Sequence, residues 1–427
     1  MSMRIGLLVL LVAMVLPLGF IAANIQSTPL VAARSGGTAA DAKRTRELYR
    51  EFRRLTEVDD GPREMTFSEQ DINSALLFAA RAVPGVRGQA SIFPGTVDVR
   101  LSARVPLGGW LNAAAEVGSS ERGLNLVSVQ FGRMSLPPEF TLRAARLLLD
   151  VGLGDSAGTV ALNALGRVTV ADDMVTVEVV MNRADRKRLA KSAKGTARNL
   201  SGLSSEAEVR AYWVALTNAI TGGEIPRSAG FPGVLAHALT LVSDRQLAGD
   251  EHKKDVQAAL LALAVACGHV KFQGLTGEFL IDAERRARHP CHGYALADRG
   301  DLRAHFAISA GLHAAADAGA AFAIGEFKEL LDSNEGGSGF SFDDIAADMA
   351  GINLAKIALS TPDHFALSRL AASIRNDQAI LPNTADLPSN MTESDFKQRF
   401  GKVDSPRYKD MLKTIESRLA QLPVSAY

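Results

Sequence analysis

The stretch 325–351, GEFKELLDSNEGGSGFSFDDIAADMAG, gathers seven carboxylates and one lysine around a glycine-serine turn. Glu329 and Asp332 lie three residues apart before the turn, and Asp344 and Asp348 lie four residues apart after it. Residues at these spacings share one face of an α-helix. The stretch therefore predicts two helices joined by a chain reversal, with their acidic residues at the same end.

The run before this stretch begins at Asp301 and is interrupted by Asp-Ala-Gly at 317–319. As one straight helix, the run would place His305 about 36 Å from Glu329 at 1.5 Å per residue. A break at 317–319 instead folds it into an antiparallel pair. The sequence thus predicts a three-helix meander with a polar cluster at one end, formed by Asp301, His305, Glu326, Glu329, Asp332, Asp344 and Asp348.

The predicted cluster has three interpretations, which stay open at this point. A histidine among carboxylates suits a divalent metal ion. Crowded carboxylates raise one another's pKa, which suits general acid–base catalysis. In the structural interpretation, Asp343 and Asp344 stabilise the dipole of the helix that they begin. His305, Arg303 and Lys328 then pair with neighbouring acids as internal struts.

The glycine-serine turn is a candidate anion-binding site. Three glycines and a serine at 336–339 leave backbone N–H groups accessible ahead of a helix N-terminus, where anions bind. The alternative is that these glycines only terminate the preceding helix. The residues predicted to hold an anion are Lys328, Gly337, Ser338 and Gly339.

Hydrophobic periodicity organises the rest of the chain. Ser68 and Asp71 form a capping-box pattern that opens a helix. Alternation at 96–105 predicts a strand, and residues 166–181 predict a hairpin. From about 205 onward the periodicity is helical. We therefore predict an α+β fold with an anchor or signal at 1–24, a stem at 25–64, an α+β domain at 65–182, a basic linker at 183–204 and a helical domain at 205–427.

The N-terminus indicates export. An uninterrupted apolar run at 5–23 follows Arg4. The run is long enough to cross a bilayer and longer than most signal-peptide apolar regions, so we predict a retained anchor, with a cleaved signal as the alternative. Both interpretations place the following residues outside the cytoplasm. The predicted location is a bacterial inner membrane, single-pass, with the bulk of the chain in the periplasm and the cytoplasmic membrane contacted through 5–23.

The charge balance argues against a nucleic-acid partner. Lys and Arg total 47, as do Asp and Glu, so the formal net charge is zero and no global basic field attracts a polyanion. The hydrophobic fraction of 47% is sufficient for a packed core.

The two cysteines, Cys267 and Cys291, suggest a disulfide, because paired thiols in exported chains tend to oxidise. Two buried free thiols are one alternative. A zinc site that adds His289 and His292 is the other.

A set of residues between 301 and 351 resembles the YfiM-like family of small bacterial envelope proteins and, more distantly, VanZ-like membrane proteins. VanZ-like proteins carry the pattern on membrane-spanning helices, whereas the helices here are too polar to span. The pattern comprises Asp301, His305-Phe306, Ser309-Ala310, Lys328-Glu329-Leu330, Asp332-Ser333, Gly337-Ser338-Gly339-Phe340-Ser341, Asp344, Ala347-Asp348 and Ala350-Gly351.

The first domain is similar to YpmS-like extracellular proteins, which follow a membrane anchor with a helix of the FSEQDIN type and a β meander. Phe131-Gly132 and Leu136-Pro137 match the turn of that meander. This resemblance implies a membrane-proximal domain with a groove for a lipid tail or a polymer.

Together these features predict a membrane-anchored envelope protein that is non-catalytic and binds a lipid, a glycan or an envelope protein. The alternative is a metal-dependent hydrolase or transferase acting on an envelope lipid or glycan. It would use His305 and the carboxylates at 326–348, with a divalent metal as cofactor. The chain carries neither a Walker loop nor a dinucleotide-binding turn, so neither ATP nor NAD is expected.

Overall fold

A computed structural model describes most of the chain. The described residues are 23–33, 37–57, 61–83, 85–106, 108–154, 156–189, 192, 204–276, 279–287, 289–315, 324–325, 328–329, 332 and 338–427. Except for Ala23 and Asn24, the predicted anchor at 1–24 lies outside these ranges. Within them, no helix combines the length and the apolar character needed to cross a membrane.

The described chain divides into two units. The first comprises the described residues of Met1–Arg34 and Arg44–Ala193, and the second those of Ser35–Lys43 and Lys194–Tyr427. The fold is mixed α+β with antiparallel sheets, which confirms the predicted fold class at this level.

The first unit alternates strands with helices. Its strands are β1 (Ile25–Gln26), β2 (Pro62–Ser68), β3 (Val86–Phe93), β4 (Thr96–Arg104), β5 (Trp110–Gly118), β6 (Asn125–Phe131), β7 (Met134–Ser135), β8 (Leu165–Ala171) and β9 (Met174–Val180). The helices in this part of the chain are α1 (Ala39–Glu57), α2 (Glu69–Ala82), α3 (Pro138–Leu153) and α4 (Ala157–Asn163).

Two antiparallel sheets result from this order. One has the meander order β3-β4-β5-β6-β7, with β1 pairing β5, and the other has the order β2-β9-β8. The predicted capping box is present: Ser68 and Asp71 cap α2 reciprocally. The predicted hairpin turns through Asp172 and Asp173, both at positive φ, as a two-residue turn of the primed type requires.

One boundary in this unit differs from the prediction. Ile25 and Gln26, the first residues of the predicted stem, pair with Leu111 and Trp110 in the sheet. Met134 and Ser135 pair with Phe131 and Gln130 as a short strand, and α3 begins after that strand, at Pro138.

Helices make up the second unit. They are α5 (Glu206–Thr221), α6 (Gly230–Ser243), α7 (Gly249–Leu263), α8 (Gln273–Thr276), α9 (Asp282–Arg286), α10 (Gly300–Ala315), α11 (Phe342–Ser360), α12 (His364–Ser373), α13 (Asp377–Ile380), α14 (Glu393–Phe400) and α15 (Pro406–Leu419). A π turn, Ala264–Gly268, extends α7. In the predicted linker, residues 183–189 are helical.

Helices α10 and α11 pack closely against each other. A Cβ on Gly351 would lie 2.2 Å from the carbonyl oxygen of Phe306, so only glycine allows this approach. Asp343 contacts Arg299, Asp348 contacts His305 and Ser309, and Gly351 contacts Phe306. Because later residues of α11 meet later residues along 299–310, the two helices run in the same direction. This is the relation expected for the first and third helices of the predicted meander.

The predicted disulfide is present. Cys267 and Cys291 are bonded, with their Cα atoms 4.9 Å apart. The zinc alternative is thereby removed, because disulfide sulfurs are not thiolate ligands. Arg303, which the structural interpretation pairs with acids, instead donates to the carbonyl oxygens of both cysteines at 2.9 Å.

Candidate metal centre

Three helical segments bring a histidine and three carboxylates together. His305 and Ser309 lie one turn apart on α10, and Asp344 and Asp348 lie one turn apart on α11. Glu329 comes from the chain between these helices, where the described residues 324–325, 328–329 and 332 are helical. We call His305, Glu329, Asp344 and Asp348 the His305 cluster.

Polar atoms of three cluster residues lie close to one another. His305 Nε2 lies 3.6 Å from Asp344 Oδ2 and 3.8 Å from Glu329 Oε1. One ligand atom from each of these three buried residues lies within 4.8 Å of the other two. Donor atoms about 2.1 Å from a zinc ion in a tetrahedral site are separated by about 3.4 Å. The two distances from His305 Nε2 therefore lie near the separation that one shared ion imposes.

The opposite nitrogen of the histidine is held by a carboxylate. His305 Nδ1 lies 3.1 Å from Asp348 Oδ1, which also accepts a hydrogen bond from Ser309 Oγ at 2.6 Å. With Asp348 ionised, Nδ1 carries the hydrogen, and Nε2 of a neutral ring is then free to bind a metal. This is the carboxylate–histidine–metal arrangement found in many metal sites.

Each of the other two residues also has one oxygen held by a partner. Glu329 Oε2 accepts from the backbone N–H of Ser341 at 3.0 Å. Asp344 Oδ1 accepts from Arg299 at 3.2 Å. The remaining oxygens, Oε1 and Oδ2, are those that face His305 Nε2.

The buried charges of the cluster do not balance. Burial opposes protonation of His305, but the carboxylates of Asp348 and Asp344 outweigh it and raise the pKa to about 9. Burial raises the pKa of Glu329 to about 8, although Lys328 opposes the shift. Burial likewise raises the pKa of Asp344 to about 6. Lys328 beside Glu329 and Arg299 beside Asp344 offset part of the negative charge, yet the pKa values of both carboxyl groups stay raised. The cluster therefore gains stability from a bound proton or a metal cation.

Two residues of the predicted anion site, Lys328 and Gly339, make internal contacts. Lys328 Nζ lies 2.7 Å from Asp332 Oδ2 and 3.3 Å from Glu329 Oε1. Gly339 N–H donates to the carbonyl oxygen of Asp332 at 2.7 Å. Gly337 and the predicted cluster member Glu326 lie outside the described residues. The lysine therefore neutralises carboxylates in this arrangement.

Arg299 is the main residue that sequence reasoning missed. Its guanidinium contacts Asp301, Asp343 and Asp344 together. Asp301, predicted as a cluster member, pairs with Arg299 at 2.6 Å rather than with His305. Arginine at 299 lies ahead of α10 in a loop, so helical spacing gives no signal of its approach to α11.

A groove of about 990 Å³ adjoins the cluster within the second unit. Arg299 and Asp343 line its wall, and Arg418 lies elsewhere on it, paired with Asp386. Arg299 also donates a hydrogen bond to Asp344 Oδ1. Through this contact the groove wall is linked to the His305 cluster.

No protein-family model, curated protein or solved structure matches this chain.

Proposed function

We propose that this protein is a membrane-anchored envelope protein whose helical unit binds one divalent metal ion. The ligands are His305 Nε2, Glu329 Oε1 and Asp344 Oδ2. The observation that carries the proposal is the shared pattern of the three residues: each has a second polar atom held by its own partner. Such positioning of ligand side chains supports tight metal binding.

The disulfide and the N-terminal apolar run support the envelope location in this proposal. A disulfide between Cys267 and Cys291 is stable in an oxidising environment such as the periplasm. The apolar run at 5–23 would hold the chain at the inner membrane. Imidazole with two carboxylates suits zinc or manganese rather than a soft thiolate-seeking ion.

The metal content of the purified full-length chain tests this proposal. We expect one zinc or manganese ion per chain by elemental analysis, and its loss in His305→Ala, Glu329→Gln and Asp344→Asn. Asp332→Asn is the matched control, because Asp332 contacts Lys328 but none of the three ligands. It should retain the ion. A metal-free wild type, with a lower melting temperature in all three ligand variants, would instead identify a structural polar core.

A second candidate function is metal-dependent hydrolysis or group transfer, which the adjoining groove favours. Three protein ligands leave a coordination position for water or substrate, as in catalytic zinc sites. Metal-loaded protein should then hydrolyse p-nitrophenyl phosphate or p-nitrophenyl acetate, and Asp344→Asn should not. Metal binding without either activity would leave the non-catalytic proposal in place.

A further inference from the structure

Helix α3 presents an apolar stripe to the solvent. Phe140, Leu147, Leu148 and Val151 are 62, 64, 71 and 76% exposed, and helical spacing places them on one face with the half-buried Ala144. In the described chain, six large hydrophobic residues are more than 60% exposed, and four of them form this stripe. Scattered exposed apolar residues are ordinary, but a contiguous group marks an interaction surface.

The fold itself holds the stripe outward. The opposite side of α3 packs on α4, where a Cβ on Gly158 would lie 2.4 Å from Leu149 Cβ. Asp150 accepts hydrogen bonds from the Thr159 hydroxyl at 2.6 Å and from its N–H at 2.8 Å. These contacts fix the rotation of α3 about its axis, so the stripe cannot turn inward without breaking them.

A basic residue borders the stripe. Arg143 is one turn from Leu147, its side chain is 82% exposed, and it pairs with Glu139 at 3.5 Å. An arginine at the edge of an apolar helical face is a feature of helices that lie in the interface of an anionic bilayer.

The apolar run at 5–23 ends close to the start of α3. Asn24 follows that run directly, and its side chain contacts Met134 Sδ at 3.5 Å and the Arg133 N–H at 3.1 Å. Helix α3 begins at Pro138, four residues after Met134. If the run enters the membrane, Asn24 holds α3 near the point of entry.

We propose that the α3 stripe docks on the anionic surface of the membrane, so that the first unit has a second, interfacial contact besides the apolar run. The stripe shares no residue with the metal centre and does not depend on it. Continuity with the run, together with Arg143 at the edge of the stripe, favours lipid over a second copy of the chain. The proposal rests on membrane entry of 5–23, which the experiment below measures separately.

The disulfide makes a site-specific test practical. Both natural cysteines are bonded, so Val151→Cys carries the one free thiol of the full-length chain. The thiol is labelled with an environment-sensitive fluorophore, and the protein is reconstituted in vesicles of phosphatidylcholine and phosphatidylglycerol. We expect a blue-shifted emission and loss of most of its intensity with lipids that carry a nitroxide on the acyl chain. Adding Leu148→Glu should restore most of that intensity.

Glu139→Cys is the matched control position, because it lies on the same helix, off the stripe, and its side chain is 88% exposed. It should show weaker quenching. Flotation of the chain with the vesicles reports insertion of 5–23 independently. A chain that floats while the Val151→Cys probe stays in water would overturn the docking proposal alone. A blue shift without lipid quenching would show a protein cover instead, and a chain that does not float would overturn both.

Discussion

The His305 cluster and the α3 stripe depart in opposite directions from the usual distribution of side chains. The cluster buries four ionisable groups in the second unit, whereas the stripe exposes four large apolar groups in the first. Buried charge is unfavourable unless it is paired or binds a cation, and an exposed apolar stripe is unfavourable unless something covers it. We propose a partner for each region: a metal ion for the cluster and a lipid surface for the stripe.

The two regions also differ in how much they depend on the packing around them. The cluster depends on close contact between two helices, so small changes near it should be costly. The stripe depends on nothing beyond the outer face of α3, so changes there should cost little stability. The following predictions test this difference, from the largest expected effect to the smallest.

Gly351→Ala should disrupt the support of the cluster. The added methyl would lie 2.2 Å from the backbone oxygen of Phe306, which cannot move aside as a flexible side chain would. Overpacking of this kind costs about 3 kcal/mol, more than the helix propensity that alanine adds. Chemical denaturation should show this loss in the free energy of unfolding. Gly274→Ala is the control, because no atom lies within 4 Å of its added methyl; equal losses in both variants would contradict the packing explanation.

Asp348→Asn should weaken metal binding without removing a ligand. The carboxylate orients His305 through Nδ1 and binds Ser309, while its other oxygen, Oδ2, is buried and has no hydrogen-bond partner in the described part of the structure. Loss of such a supporting carboxylate typically lowers metal affinity about 10- to 100-fold. Competition with a chromogenic chelator measures this change. Ser309→Ala keeps the histidine–carboxylate contact and should lower affinity less; the reverse order would contradict the assigned roles.

The sequence predicted the residues of the His305 cluster better than the contacts that support them. Helical spacing predicts that Asp344 and Asp348 share one face. The break expected at 317–319, which lies outside the described residues, is the basis for placing His305 and Glu329 at the same end. Arg299 lies in a loop, and Ser341 contributes its main-chain N–H. Side-chain periodicity predicts neither of these contacts. These contacts depend on how the chain packs in three dimensions.

For the stripe, the sequence indicates an apolar helix face but not whether that face is exposed. Helix α3 occupies Pro138–Leu153, and its exposed apolar residues recur at helical spacing. Periodicity gives the apolar face of a helix but not whether another element covers that face. Here Gly158 and Thr159 direct α4 to the opposite side, which depends on a close approach that sequence spacing alone does not show.

The pKa values of two histidines in the second unit shift in opposite directions. Carboxylates raise the pKa of His305, whereas burial, reinforced by the nearby Arg303, lowers the pKa of His289 to about 4. Between pH 4 and the ordinary histidine pKa of about 6.5, the unfolded chain binds a proton at position 289 that the folded chain excludes. His289 therefore makes stability fall as the pH is lowered through this window.

His289→Gln should reduce that fall. Glutamine retains a donor for the carbonyl oxygen of Gly268, which His289 Nε2 contacts at 3.1 Å, but it does not titrate. Melting temperatures measured from pH 4 to pH 7 should show a shallower slope in the variant. His292→Gln serves as the control because His292 is exposed. An unchanged slope in His289→Gln would exclude His289 as the source of the acid sensitivity.

Leu148→Ser should have the smallest effect on stability. Leu148 is 71% exposed, so its replacement removes little buried area, and the free energy of unfolding in detergent-free buffer should change by no more than about 0.5 kcal/mol. Leu354→Ala is the matched contrast, because Leu354 is fully buried on α11 and its truncation should cost about 2–5 kcal/mol. A large loss in Leu148→Ser would mean that α3 is already covered by protein. The stripe would then be part of a core, and the two regions would no longer be opposites.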